Sequence, residues 1–334
     1  MLPISIITPS FNQGQYLEEN IFSVLGQQYH HIQHIIIDGG STDSTKEVLK
    51  QYEKQIAYSV SEPDNGQSDA INKGYAKAKG EIIGWLNSDD YYAPGALKAV
   101  AKAFEDPNIN VVTGYSILFD EDGKQMKATP TITKDKPLEQ WLRFPNINQP
   151  STFFRKNVMD EIMPLNTSLH YLMDRELWLK YLLKYGIENV AVLDESLVYF
   201  RLHKDSKSVS QDEKFDSDYA TMLYHIAKHN GLNDAADLLG TRYEISKDYS
   251  PSFSIYPTKE TSLDMLRFFL VKRGGLVFTK PQFEFAKKAY TVFDIKHYQS
   301  LPEEKIGMYR LSKIASCINW FHFRVKRKID SKFA

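Results

Sequence analysis

Ile82-Ile83-Gly84-Trp85-Leu86-Asn87-Ser88-Asp89-Asp90 runs from an apolar stretch directly into two acids. A short apolar run without polar alternation reads as a strand buried on both faces. The chain upstream repeats that form three times. Ile4–Thr8 leads into Thr8–Asn12, Ile35–Asp38 into Asp38–Asp43, and Tyr58–Ser61 into Glu62–Gln67. Helical spacing separates the runs. Leu17, Ile21, Val24 and Leu25 fall on one helical face, with Ser10 or Asn12 placed to cap it. Ser44 and Glu47 form a capping-box pattern ahead of Val48, Leu49 and Tyr52. Ser68–Ala78 reads as a small-residue helix, and Pro94 opens another with Leu97, Val100 and Phe104 inward. Val111–Tyr115 is strand-like again. This alternation predicts an α/β fold with a doubly wound and mostly parallel sheet. In such sheets ligands sit beyond the carboxyl ends of the strands. The four polar clusters should therefore converge on one rim.

Past about Asn148 the pattern changes. A helix is expected over Leu172–Leu183, and short strands over Val190–Leu193 and Leu197–Arg201. Asp205–Asp212 is polar and rich in Ser and Lys, a boundary signal. Residues 1–210 then form the α/β domain. Residues 211–334 form a mainly helical region, with helices at Tyr219–His229 and Ala235–Tyr243 and a basic, aromatic tail. Bulk properties narrow the partners. With 334 residues the chain holds one large domain or a domain plus an appendage. Its net charge of -1 does not mark a nucleic-acid binder, and no nucleic-acid partner is expected. The one cysteine, Cys317, suits a reducing compartment. Neither a secretory signal nor an apolar stretch of the ~20 residues that span a bilayer is evident. A cytoplasmic location is expected, with attachment to the inner face of the cell membrane open.

Adjacent carboxylates at a strand end, Asp89 and Asp90, suit a hard divalent cation that completes its shell with phosphate and water. The bland alternative is a solvated turn before the Pro94 helix. In the later helix Leu172, Glu176 and Leu179 share one face, and Asp174 and Trp178 another. His203 follows a strand end in Tyr199-Phe200-Arg201-Leu202-His203, where a histidine is a surface residue or a ligand.

Ser5-Ile6-Ile7-Thr8-Pro9-Ser10-Phe11-Asn12, Asp38-Gly39-Gly40-Ser41-Thr42-Asp43, Glu62-Pro63-Asp64-Asn65-Gly66-Gln67-Ser68-Asp69 and Asn87-Ser88-Asp89-Asp90 occur in that order. Together they closely resemble the family 2 glycosyltransferases, which have the GT-A fold, over roughly the first two-thirds of the chain. The resemblance implies an inverting, metal-dependent transfer of a sugar from a nucleotide-sugar donor to an acceptor hydroxyl. It implies that Thr8, Pro9 and Ser10 border the nucleobase and ribose, with Asn12 beside them. Asp38 would accept a hydrogen bond from the base, uracil being the commonest. Asp64 and Asp69 would approach the donor, as would Asn87 and Ser88. Asp89, with Asp90 and His203, would hold Mn²⁺ or Mg²⁺. Asn87 replaces the usual first acid of the metal motif, and Gly39 the usual second acid of the family's Asp-Asp-Gly-Ser turn. Asp174 matches the family's base, with Glu176 the fallback. Gln149, in Gln149-Pro150-Ser151-Thr152-Phe153-Phe154, and Trp178 would face the acceptor.

The implied setting is bacterial polysaccharide or lipid-linked glycan assembly. Trp320, Phe321 and Phe323 among the basic residues of the tail suit a membrane surface. A nucleotidyltransferase would need a Gly-rich phosphate loop near its first strand, and Gly14 alone does not make one. A dehydrogenase would need the Gly-x-Gly-x-x-Gly turn there, which is absent. The reading from another class is a nucleotide-sugar-binding or scaffold protein of a glycan assembly complex that no longer catalyses.

Overall fold

The first strand is buried at every position, from Ile4 to Ser10. The computed structural model describes residues 1–133, 135–143, 147–204, 212–274 and 277–329. In chain order β1 (Ile4–Ser10), α1 (Gly14–Leu25), β2 (Ile32–Asp38), α2 (Thr45–Gln51), β3 (Tyr58–Ser61), α3 (Gln67–Tyr75) and β4 (Ile82–Trp85) alternate as the pattern predicts. Next come β5 (Tyr91–Tyr92), α4 (Ala96–Ala103), β6 (Val111–Asp120), β7 (Gln125–Ala128), α5 (Leu138–Arg143), β8 (Thr152–Arg155), α6 (Lys156–Met159), α7 (Met173–Tyr185) and β9 (Val190–Leu202). The sheet order is β3-β2-β1-β4-β8-β6-β9-β5, with β7 paired to β6. β3, β2, β1 and β4 run parallel. β8 enters antiparallel between β4 and β6, and β9 returns parallel to β6. The fold is α/β, parallel where the polar clusters lie.

Close packing sets the rim. A Cβ on Gly74 would meet Ile7 Cγ2 at 2.5 Å, so α3 lies on β1 only because Gly74 has no side chain. An added methyl there would overpack the site, typically by about 1–3 kcal/mol. The close seat of α3 carries the Glu62–Gln67 segment to the strand ends.

Four local expectations change. Leu17, Ile21 and Val24 are buried on α1, but Leu25 is exposed. Neither Ser10 nor Asn12 caps α1; Gly14 N donates to Asp43 Oδ2 at 2.9 Å. Ser44 makes no side-chain cap either, because Asp43 Oδ1 accepts from Thr45 N at 3.0 Å. One ionised acceptor thus serves two helix starts, and burial, which raises its pKa, is outweighed by these bonds, which lower it. The two short strands expected over 190–201 are one strand, β9. The polar Asp194-Glu195 reads as a turn but is absorbed in a bulge, since Val192 pairs with Thr113 and Ser196 with Tyr115.

The chain divides into two compact units, one of residues 1–141 and 145–212, the other of 142–144 and 213–334. Most of the Ser- and Lys-rich boundary stretch, residues 205–211, lies outside the described residues. The second unit is helical: α8 (Asp212–His229), α9 (Asn233–Gly240), α10 (Lys259–Phe269), α11 (Lys280–Val292), α12 (Lys305–Ser316) and α13 (Trp320–Ile329). α11 starts with a full capping box between Thr279 and Gln282. Among the described residues no helix is long and apolar enough to cross a membrane.

Candidate active site at the sheet rim

The strand ends are in register. Ser10 pairs with Asp38 and Asp38 with Ser61, so three polar residues stand side by side where β1, β2 and β3 stop. Asp38 is wholly buried. Its carboxylate accepts from Ser41 N at 3.0 Å, from Ser61 Oγ at 2.5 Å and from the Ser41 hydroxyl. The Ser10 hydroxyl is buried beside it and has no partner among the described residues. Thr8 points elsewhere: its hydroxyl lies 3.0 Å from His34 Nε2, inside the sheet, and Pro9 is buried next to it. Asn12 has a positive φ of 52° and ties the first two loops together. Its N–H donates to Ser41 Oγ at 2.7 Å, and its Oδ1 accepts from Thr42 N at 2.9 Å.

Gly39, the departure from the usual acidic turn, has a structural counterpart. A Cβ on Gly39 would lie 2.9 Å from Asp64 Oδ2. The neighbouring loop therefore delivers a carboxylate against the vacant side of Gly39. That loop is held from within, by Gly66 N to Asp64 Oδ1 at 2.8 Å and Asn65 N to Asp69 Oδ2 at 3.0 Å. Asp69 also pairs with Lys73 at 3.5 Å.

The Asn87–Asp90 segment is braced on every side. Asn20 of α1, itself buried, donates to both Asn87 O and Asp90 O at 2.9 Å. Gln67 Nε2 donates to Asn87 Oδ1 at 2.8 Å, and the Ser88 hydroxyl, fully buried, donates to Gln13 Oε1. The two acids then part. Asp90 turns inward and accepts from Arg201 N at 3.0 Å. Burial, with the charge of Asp89, pushes its carboxyl well above the usual range, against the opposing Arg201 bond. Asp89 turns the other way and its Oδ2 lies 3.0 Å from His203 Nε2. Arg201 also reaches back through Nε to Asp89 O at 3.0 Å, so the end of β9 clamps this loop with Arg201 and presents His203 to it.

Asp89 and His203 are an oxygen and a nitrogen donor of the kind Mn²⁺ accepts. Among the described residues no group of three or more His, Cys, Asp or Glu is placed to hold a metal ion. Two protein donors suit a cation that takes its other ligands from phosphate and water.

Two further segments reach the rim. Gln149 Nε2 donates to Trp85 O at 3.0 Å, at the end of β4. Residues 165–170 are fastened to α3 by a reciprocal pair, Asn72 Nδ2 to Leu165 O and Leu165 N to Asn72 Oδ1, both 2.9 Å. His170 Nδ1 comes within 3.7 Å of where a Cβ on Gly66 would stand. Asp174 follows, half-buried in the first turn of α7, where the helix dipole favours an acid. Glu176 and Trp178 do not join it. Glu176 is fully buried and pairs with the buried Lys180 at 3.5 Å. Trp178 is fully buried against Phe154 and Tyr181, so it packs the core and has no face left for an acceptor.

Sequence reasoning did not single out Asn20 or Arg201. Asn20 carries a signal, a polar side chain on the apolar face between Leu17 and Val24. Arg201 shows nothing but its place two residues before His203.

Residues 5–176, from β1 into the first turn of α7, match the model of glycosyl transferase family 2. TuaG of Bacillus subtilis, whose name places it in teichuronic acid biosynthesis, is 35% identical over 144 residues, 41% of this chain and 57% of TuaG. Among solved structures, S. aureus TarS 1-349 in complex with UDP-GlcNAc superposes with a TM-score of 0.57 at 15% identity, covering 94% of this chain and 90% of that one. Against a longer TarS chain the coverage of that chain is 54%. Mannosyltransferase PcManGT of Pyrobaculum calidifontis, in complex with GDP-Man and Mn²⁺, gives a TM-score of 0.52 at 14% identity, covering 99% of this chain and 85% of that one. With a family match over more than half its length and the rim geometry above, the chain belongs to glycosyl transferase family 2, a glycosyltransferase of GT-A fold.

Proposed function

We propose that the protein is an inverting glycosyltransferase that moves a sugar from a nucleoside-diphosphate sugar to an acceptor hydroxyl in polysaccharide or lipid-linked glycan assembly. The observation that carries this reading is the Asp89–His203 pair at the sheet rim, 3.0 Å apart and beside the polar ends of β1, β2 and β3. UDP and UDP-GlcNAc bound to TarS support a uridine donor, and GDP-Man in PcManGT is the competing base. The loop of Ser10, Asn12, Asp38 and Asp64 binds the nucleoside, and Gln67 with Asn87 orients the segment next to the diphosphate. Asp89 and His203 would hold a divalent cation, Mn²⁺ or Mg²⁺, with Asp90 shaping their loop from inside. When bound, the cation supplies charge neutralisation on the departing diphosphate.

Asp174 takes the proton of the acceptor hydroxyl as that oxygen bonds to the anomeric carbon. The bond from that carbon to the diphosphate oxygen breaks on the opposite face, and its electron pair leaves with the nucleoside diphosphate. Gln149, at the end of β4, positions the acceptor. The work is done at the inner face of the cell membrane, where lipid-linked acceptors lie. The test is a thermal-shift screen of nucleotide sugars with and without Mn²⁺ or Mg²⁺, since a ligand of the folded state raises its stability. One donor should shift the protein, and only with metal. In Asp174→Asn, turnover should fall by about 10²–10⁴-fold with donor affinity kept. Near-wild-type turnover in that variant refutes the base, and folded protein that no donor shifts refutes the transfer reading.

A further inference from the structure

The tail residues that suit a membrane surface by composition separate into two faces. Phe323 is buried, stacked with Trp320 at 5.3 Å and packed on Phe283 of α11. Those two rings bind α13 to its own unit, Phe323 wholly buried and Trp320 half-buried. A different set faces out. Ile318 is 78% exposed and Phe321 75%, and Val325, one turn further along α13, is exposed too. Phe321 and Val325 are i and i+4, so they share a stripe, and Ile318 precedes it. Phe278 is a fourth exposed apolar side chain, and the Arg327 guanidinium lies 4.9 Å from its ring centre. Large apolar side chains are rarely left in water in such a group without a partner.

The stretch of chain that carries this edge is basic, between Glu304 and Asp330. From Lys305 to Ile329 the sequence has seven Lys and Arg and no Asp or Glu, although the whole chain is near neutral at -1. Arg324 is exposed beside Val325. An apolar edge inside an acid-free basic field fits a surface that is negative outside and hydrocarbon beneath. A nucleic acid would use the charge and could stack a base on Phe321, but would leave Ile318 and Val325 idle. An acidic protein would need a shaped apolar pocket for them.

We propose that Ile318, Phe321 and Val325 form an insertion edge that docks the helical unit on an anionic phospholipid bilayer, with Arg324 and Lys326 at the headgroups. This deepens the membrane part of the proposed function and is independent of the chemistry at Asp174.

The experiment is flotation of the full chain with vesicles of mixed anionic and zwitterionic phospholipid, compared with purely zwitterionic vesicles and with high salt. Wild type should float with the anionic vesicles and lose most of its binding in either comparison. Ile318→Ser and Phe321→Ser should each lower the partition coefficient by about tenfold or more, as expected for a side chain that leaves hydrocarbon. Arg324→Ser and Lys326→Ser should each lower it about fivefold, on anionic vesicles alone. Met126→Ser, which removes an exposed apolar side chain from the other unit, should change nothing. Thermal melts confirm that each variant folds. Wild type that does not float overturns the membrane surface itself. Wild type and the Ile318→Ser, Phe321→Ser double variant floating equally overturns the edge. Binding to a short single-stranded DNA as tight as to vesicles, and indifferent to Phe321→Ser, overturns it in favour of a polyanion site. Asp174→Asn should float like wild type whatever its turnover, which keeps this test apart from that of the reaction.

Discussion

Acid should weaken the N-terminal unit through one imidazole. His34 is fully buried in β2, with Nε2 on the Thr8 hydroxyl and Nδ1 without a partner among the described residues. Burial pushes its pKa down to about 3. The folded pKa is thus below the unfolded one, about 6.5. The native state binds fewer protons, so the stability tied to His34 is complete above about pH 6.5 and is lost as pH falls toward 3. At pH 7.5 the effect is negligible. At pH 5 the unfolded imidazole is almost all protonated and the folded one almost all neutral. The loss is then RT ln(1 + 10^1.5), about 2 kcal/mol. His34→Gln keeps a hydrogen-bonding side chain for Thr8 and removes the titration. Urea unfolding of both proteins at pH 7.5 and pH 5, with matching slopes, isolates the term. Wild type should lose about 2 kcal/mol more than His34→Gln between the two pH values. Losses that agree within about 0.5 kcal/mol would refute the assignment.

Other perturbations test the rim. Asn20→Ala strands the carbonyl of Asp90 and takes one of two donors from that of Asn87, at a cost of about 1–3 kcal/mol, and should also weaken donor-dependent thermal shift; an unchanged melting temperature would remove the brace. Gly39→Ala should push Asp64 from its place and weaken donor binding by about tenfold or more, with little loss of stability, as titration calorimetry would read. Equal donor affinity would separate Asp64 from the donor. Asp174→Asn and its turnover assay stand with these.

β1, β2 and β4 were legible because each is a buried apolar run that meets a polar cluster, and β3, only half-buried, because it repeats their spacing. Their convergence follows from parallel topology. What the sequence hid is what depends on pairs far apart in the chain. Asp89 and Asp90 are identical neighbours by sequence, but Arg201, more than a hundred residues on, turns one of them inward. Glu176 has the spacing of a surface acid, and only the packing of α7 shows it buried with Lys180. Trp178 has the residue type of a ligand contact and the position of a core residue. β9 was split because Asp194-Glu195 looks like a turn until β6 lies beside it. Caps misled for a simpler reason: Ser and Asn offered neutral acceptors, and the ionised Asp43 outcompeted them at both helix starts.

The inward turn of Asp90 sets the electrical character of the rim. Two adjacent acids suggest a doubly negative seat that would take a dication by itself. With Asp90 folded under, the outward charge is that of Asp89 alone, and a histidine adds a donor without adding charge. A dication held there, as the proposed function has it, would keep roughly half of its charge uncancelled by Asp89. That remainder is what a diphosphate would complete. Ion and donor should therefore bind as a couple, each weak without the other, so that the seat empties as the nucleoside diphosphate departs.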